Sequence, residues 1–134
     1  MIELTNSVSQ TVAAGSPVLF DTARLHTGDG ECWRQGSGYV KLRAKCGTYE
    51  VNFSANISGG SADTSVSLAF YIGEEQLQET VMTVTPSAAN ALNNVSKSAL
   101  IRNCCDDYSR IRVVNIGSAN VTVANPILFV RRLS

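Results

Sequence analysis

Hydrophobic and polar side chains alternate most regularly over Gly47–Ser58. Tyr49, Val51, Phe53, Ala55 and Ile57 take every second position, and Glu50, Asn52, Ser54, Asn56 and Ser58 lie between them. Successive side chains of a strand point to opposite faces, so this stretch reads as a long strand with one buried and one wetted face. A helix would scatter the same apolar residues around its circumference. Shorter stretches of strand character flank it: Ser16–Phe20, Glu31–Arg34, Tyr39–Leu42, Thr64–Ile72, Leu77–Thr85, Asn94–Arg102, Tyr108–Asn115, Val121–Ala124 and Ile127–Leu133. Gly28-Asp29-Gly30, Gln35–Gly38, Gly73–Gln76 and Ile116–Asn120 supply turns, and Asn125-Pro126 a kink. About nine or ten short strands separated by turn signals predict an all-β, two-sheet antiparallel sandwich.

The strands are not alike. Gly47–Ser58, Asn94–Arg102 and Val121–Ala124 are apolar on one side and polar on the other, which suits a sheet with one face in water. Thr64–Ile72 instead carries Ala69 and Tyr71 on its second face. Val113-Val114 and Ile127–Val130 are apolar on both sides. A sandwich gives each sheet only one core face, so a two-sided strand needs a further covering layer. No stretch has a sustained helical period, and the simplest cover is another copy of the chain. The expected interface residues are Ala69, Tyr71, Val114, Ile127 and Phe129, and a charge at Tyr71 or Phe129 is expected to dissociate the assembly.

Composition narrows the function classes. The 134 residues are one domain's worth of chain, charged residues are only 16%, and the net charge is zero. Zero net charge argues against a nucleic-acid partner and against a polybasic membrane-surface protein. The chain opens without a basic, apolar leader, and no apolar run reaches the length of a membrane span. Residues 1–14 are polar and poorly patterned. They read as an N-terminal attachment arm, with Ile2, Leu4 and Val8 as contacts, ahead of a domain over residues 15–134.

The run Gly36–Leu42 followed by Cys46–Ser58 resembles the lead into the long strand of tumour-necrosis-factor-like and complement-type globular heads. Such heads occur on bacterial exosporium fibres, and similar domains in phage structural proteins. Asn94–Ile101 resembles a later strand of that family, and Ile111–Pro126 with Phe129–Leu133 resembles its closing hairpin and last strand. The resemblance covers about residues 15–133 and implies a ten-stranded jelly roll that forms a tight homotrimer. The four cysteines are a departure from the bacterial versions, and no collagen-like repeat precedes the domain.

Candidate chemistry is sparse. His26 sits in a Gly-Asp loop with no nucleophile pattern beside it. Asp21, Asp29, Asp106 and Asp107 lack the spacing of a calcium loop. Cys32, Cys46, Cys104 and Cys105 show no C-x-x-C spacing and read as free thiols rather than zinc ligands. Trp33, the sole tryptophan, is either a sugar-stacking platform or a core anchor, and Trp33 and His26 are the candidate ligand contacts. The expectation is therefore a non-enzymatic protein with no cofactor and no metal. It is a trimeric jelly roll on a virion surface, as a capsid decoration or fibre head, with a capsid or fibre protein as partner. The alternative is a module of a phage fibre, spore or cell surface that binds a glycan or receptor through the loops Asp21–Gly30, Gly59–Asp63 and Pro86–Asn93.

Overall fold

The computed structural model describes residues 1–28, 30–43, 46–103 and 109–134. Cys104, Cys105, Asp29, Asp106 and Asp107 lie outside them. The described strands are β1 (Ile2–Thr5), β2 (Gln10–Val12), β3 (Thr22–His26), β4 (Glu31–Trp33), β5 (Tyr39–Leu42), β6 (Thr48–Gly59), β7 (Val66–Ile72), β8 (Glu75–Gln76), β9 (Met82–Val84), β10 (Asn93–Arg102), β11 (Ser109–Asn115) and β12 (Val121–Arg132). A single 3₁₀ turn, η1 (Gln78–Thr80), is the one helical element among the described residues.

Two antiparallel sheets result. The first runs β10-β6-β12-β1-β3, with β2 also on β12; the second runs β4-β5-β11-β7-β8, with β9 also on β7. The expected jelly-roll sandwich is thus observed. The long strand β6 is central to the first sheet, paired over ten residues with β10 from Asn93↔Ile57 to Arg102↔Thr48 and along its other edge with β12. Tyr49, Val51, Phe53, Ala55 and Ile57 all face the core, and the Phe53 ring meets Phe70 of the opposite sheet edge-on at 6.5 Å. Such aromatic contacts add about 1 kcal/mol to the area they bury.

Two buried asparagines tie the sheets together. Asn103, at the end of β10, donates to the Leu42 carbonyl of β5 (3.3 Å) and accepts from the Ser109 hydroxyl (2.6 Å). Asn115, at the end of β11, donates to the Val12 carbonyl of β2 (3.0 Å) and to Ala119 O (2.8 Å), and accepts from Gly117 N–H (2.9 Å). Each spans the gap at one end of the sandwich, where water would otherwise reach the core.

Three expectations are corrected. First, residues 1–14 are not a free arm. Ile2 and Leu4 are 0% exposed and belong to the core. β1 is hydrogen-bonded on both edges, to β12 and β3, and β2 adds to β12. Alternation over only four residues, Ile2-Glu3-Leu4-Thr5, makes a strand when two neighbours hold it. Val8 alone of the three arm residues is exposed, at 65%, in the loop after β1. Second, Leu77–Thr85 is not a full return strand. The Thr80 hydroxyl accepts from Phe70 N–H (2.9 Å) and donates to the Leu77 carbonyl (2.7 Å). A side chain thereby takes the place of a ladder acceptor, and pairing with β7 resumes only at β9.

Third, Asn125-Pro126 does not separate two strands. β12 is continuous, with a bulge between Ala124 and Ile127 and Asn125 in the left-handed region at φ 54°. Asn tolerates that conformation better than most residues. The bulge inverts the side-chain phase. Val121 and Val123 face the core before it; Leu128 and Val130 face the core after it, so Ile127 and Phe129 point outward.

Candidate functional surfaces

A sandwich has two outward faces, pointing in opposite directions, and the strand registers assign residues to each. The outward face of the first sheet carries Asn52, Ser54 and Asn56 of β6, Ser96, Ser98 and Leu100 of β10, and Ile127 and Phe129 of β12. Phe129 lies opposite Asn52 and Glu3, and Ile127 opposite Ser54 and Thr5. Leu100 is 70% exposed and Ile127 41%, while Phe129 is half-buried. Two carboxylates adjoin the apolar residues, Glu3 opposite Phe129 and Glu50 opposite Leu100. The charged groups of this face sit toward the ends or are paired: Arg131 with Glu50 (2.8 Å) and Arg24 with Glu3 (2.6 Å). The Glu3 carboxylate holds the Arg24 guanidinium above its ordinary range.

The outward face of the second sheet is different. Arg110 lies opposite Lys41, and Arg112 opposite both Tyr39 and Tyr71. The Arg110 guanidinium sits 4.8 Å above the Tyr39 ring centroid, and that of Arg112 5.4 Å above Tyr71. Arg112 also donates to the Gly73 carbonyl (3.0 Å), and Tyr71 OH to Gln76 Oε1 (3.3 Å). Cys32, Trp33, Arg34, Tyr39 and Lys41 line a depression of about 290 Å³ beside them.

The five expected interface residues therefore divide. Ile127 and Phe129 lie on the first sheet; Ala69, Tyr71 and Val114 lie on the second, on the far side of the sandwich. One closed interface cannot contain both sets. Ala69 (0% exposed) and Val114 (4%) pair with one another and are already buried within the single chain. They have no area left to bury against a partner. The contrast between β6 and the two-sided β12 also changes meaning, because the two strands are neighbours in one sheet and share its outward face.

Trp33 packs against the core and donates from Nε1 to Ser37 O (3.3 Å), so it is an anchor with one edge at the depression. His26 is exposed, 3.1 Å from the Glu31 carbonyl, and is not brought to Trp33's depression. Cys32 and Cys46 are free thiols. No pattern in the chain marks Glu31. Its carboxylate is 1% exposed and paired with the Met1 ammonium, with Oε2 left without a partner. The inward phase of β4, set by Glu31↔Leu42 and Trp33↔Val40, puts it there. Among the described residues no group of three His, Cys, Asp or Glu side chains is arranged as a metal site.

No protein-family model and no curated protein matches the chain by sequence. Solved structures do match. The globular domain of a zebrafish complement 1qA protein superposes with a TM-score of 0.72 at 13% identity, covering 99% of this chain and 96% of that one. The fold is the jelly roll of tumour-necrosis-factor-like and complement-type heads. Murine APRIL superposes on this TNF-like sandwich with a TM-score of 0.68, 14% identity, and 97% and 96% coverage. PRD1 vertex protein P5 does so with a TM-score of 0.56, 16% identity, and 99% and 96% coverage. Identities this low speak for the fold alone, and the TNF-like sandwich here is nearly the whole of each matched chain.

Proposed function

We propose that the protein is a non-enzymatic structural head that associates as a homotrimer through the outward face of its β10-β6-β12-β1-β3 sheet. The observation that carries this is the character of that face. Exposed Leu100 and Ile127 and half-buried Phe129 are set among Asn and Ser, and the two acids beside them, Glu3 and Glu50, are each paired with an arginine. A more apolar middle with aromatic anchors is how association surfaces differ from ordinary surface. The second sheet, with its arginines and lysine, then faces outward. A TNF-like fold agrees with a closed ring of this kind, as the family resemblance implies.

The proposed setting is a virion surface, as a capsid decoration or fibre head. The likeness in fold to a vertex protein supports it. With Ile2 and Leu4 in the core, contact with a capsid or fibre protein falls to exposed segments such as the loop around Val8. Light scattering tests the assembly: a trimer is expected at micromolar concentration, and a monomer there would sink the reading. Imaging of purified particles with an antibody to the head tests the setting, and an unlabelled particle surface would refute it.

A further inference from the structure

The second sheet's outward face concentrates charge that the rest of the chain does not. Arg34, Lys41, Arg110 and Arg112 make up four of the chain's eleven basic residues. No Asp or Glu on β4, β5, β7 or β11 faces outward beside them; Glu31, the acid of those strands, points into the core. The registers place Cys32 opposite Lys41, Lys41 opposite Arg110, and Tyr39 opposite Arg112. The cluster spans four strands, roughly 14 Å at the usual inter-strand spacing. Two of its guanidinium groups lie over tyrosine rings, which leaves N–H groups at their edges to donate to an anion, all of them at Arg110 and those of Arg112 not used by the Gly73 carbonyl. The side chains of Arg34 and Arg110 have no hydrogen-bonded or ionic partner among the described residues.

From this arrangement we infer that the face, together with the adjoining depression at Trp33, is a binding site for an acidic polysaccharide, its carboxylates held by Arg34, Arg110 and Arg112. Charge complementarity selects an anion, and the flat sheet selects an extended chain. Nucleic acid fits less well. The Tyr39 and Tyr71 rings that would stack on successive bases are already covered by guanidinium groups. The site lies opposite the proposed association face and stays open whether or not the protein is a trimer.

Trp33 is the only tryptophan, so its fluorescence reports occupancy of the depression directly. The full-length protein is titrated with hyaluronate oligosaccharides at low and high salt, with dextran and a single-stranded oligonucleotide as comparison ligands. Saturable, salt-sensitive quenching or enhancement by hyaluronate is expected. The double substitution Arg34→Gln with Arg110→Gln should weaken it by about tenfold, the loss of two exposed ion pairs. Arg102→Gln, which removes one positive charge from the opposite sheet, should leave it unchanged. Should the double variant fail to fold by circular dichroism, Arg34→Gln alone, at an exposed side chain, is expected to weaken binding by about threefold. No saturable response to hyaluronate, an equal effect of Arg102→Gln, an equal response to dextran, or tighter binding of the oligonucleotide would each overturn the assignment. Light scattering on the same samples reads the oligomeric state separately, so a failed site and a failed trimer are distinguishable.

Discussion

Phe129→Asp and Tyr71→Asp make a paired test of where the protein associates. Both side chains are half-buried and outward-facing, but on opposite sides of the sandwich. Burying a phenylalanine side chain fully is worth about 1.5–3 kcal/mol, so the half still open on Phe129 is worth about 1 kcal/mol in an assembly. Replacing it with a carboxylate adds a desolvation cost of several kcal/mol for each copy drawn into the interface. A penalty of about 3 kcal/mol per protomer is a conservative sum, repeated in every copy. Each 1.4 kcal/mol is tenfold in an equilibrium constant, so the concentration needed for assembly should rise at least about a hundredfold. The cost to the isolated chain is smaller, because Phe129 lies outside the core cluster. Tyr71→Asp loses the stacking partner of Arg112 and the bond to Gln76 but leaves the proposed associating face untouched. Light scattering over a dilution series, with circular dichroism as the control for folding, should show Phe129→Asp as a folded monomer and Tyr71→Asp as a trimer. A trimer that survives Phe129→Asp and dissolves with Tyr71→Asp would move the interface to the second sheet and refute the reasoning.

The other predictions concern the fold that holds these faces. Leu4→Ala should cost about 2–5 kcal/mol, seen as a fall in melting temperature of roughly 10 °C, whereas a mere arm residue would show almost none. Gly38→Ala would bring its new Cβ to 2.7 Å from the Val18 carbonyl oxygen and 2.9 Å from Pro17, and should destabilise by about 1–3 kcal/mol in denaturant unfolding. The Ser7 and Thr22 hydroxyls hold the Asp21 carboxyl below its ordinary range. A carboxylate with a lowered folded-state pKa stabilises above its unfolded pKa and loses that stabilisation as pH falls through the folded value. Ser7→Ala should therefore narrow the difference in melting temperature between neutral pH and pH 3, and an unchanged difference would count against the contact.

Much of the sandwich was legible because it rests on alternation. Tyr49 to Ile57 named the central strand and its core face, and β7, β10 and β11 followed from the same period with ends shifted by a residue or two. What failed were segments whose state depends on distant neighbours. Ile2-Glu3-Leu4-Thr5 is too short to declare itself, yet becomes a strand once β12 and β3 flank it. Thr80 looked like any strand threonine until its hydroxyl was found substituting for a backbone acceptor. The proposed association face was half legible. Two-sided apolar character at Ile127–Val130 marks the outward Ile127 and Phe129 on which the proposed face rests, but Ala69 and Val114 gave the same signal for a different reason, being covered within their own chain. Parity along one strand cannot tell these apart, because it carries no information about which sheet the strand joins. The arginine-rich face was invisible for a similar reason: Arg34, Lys41 and Arg110 are scattered in sequence and meet only through strand pairing.

The bulge at Asn125-Pro126 gives chain length an unusual role at one place. Strand residues there do not merely tolerate or resist substitution; their assignment to inside or outside is counted from the extra residue. Removing it would slide four apolar residues by one step, driving Ile127 and Phe129 toward the core and turning Leu128 and Val130 out. Composition would hardly change, and the surface offered to a neighbour would be rewritten. Deleting one residue at that point should therefore change the outward surface more than any single substitution on the face itself.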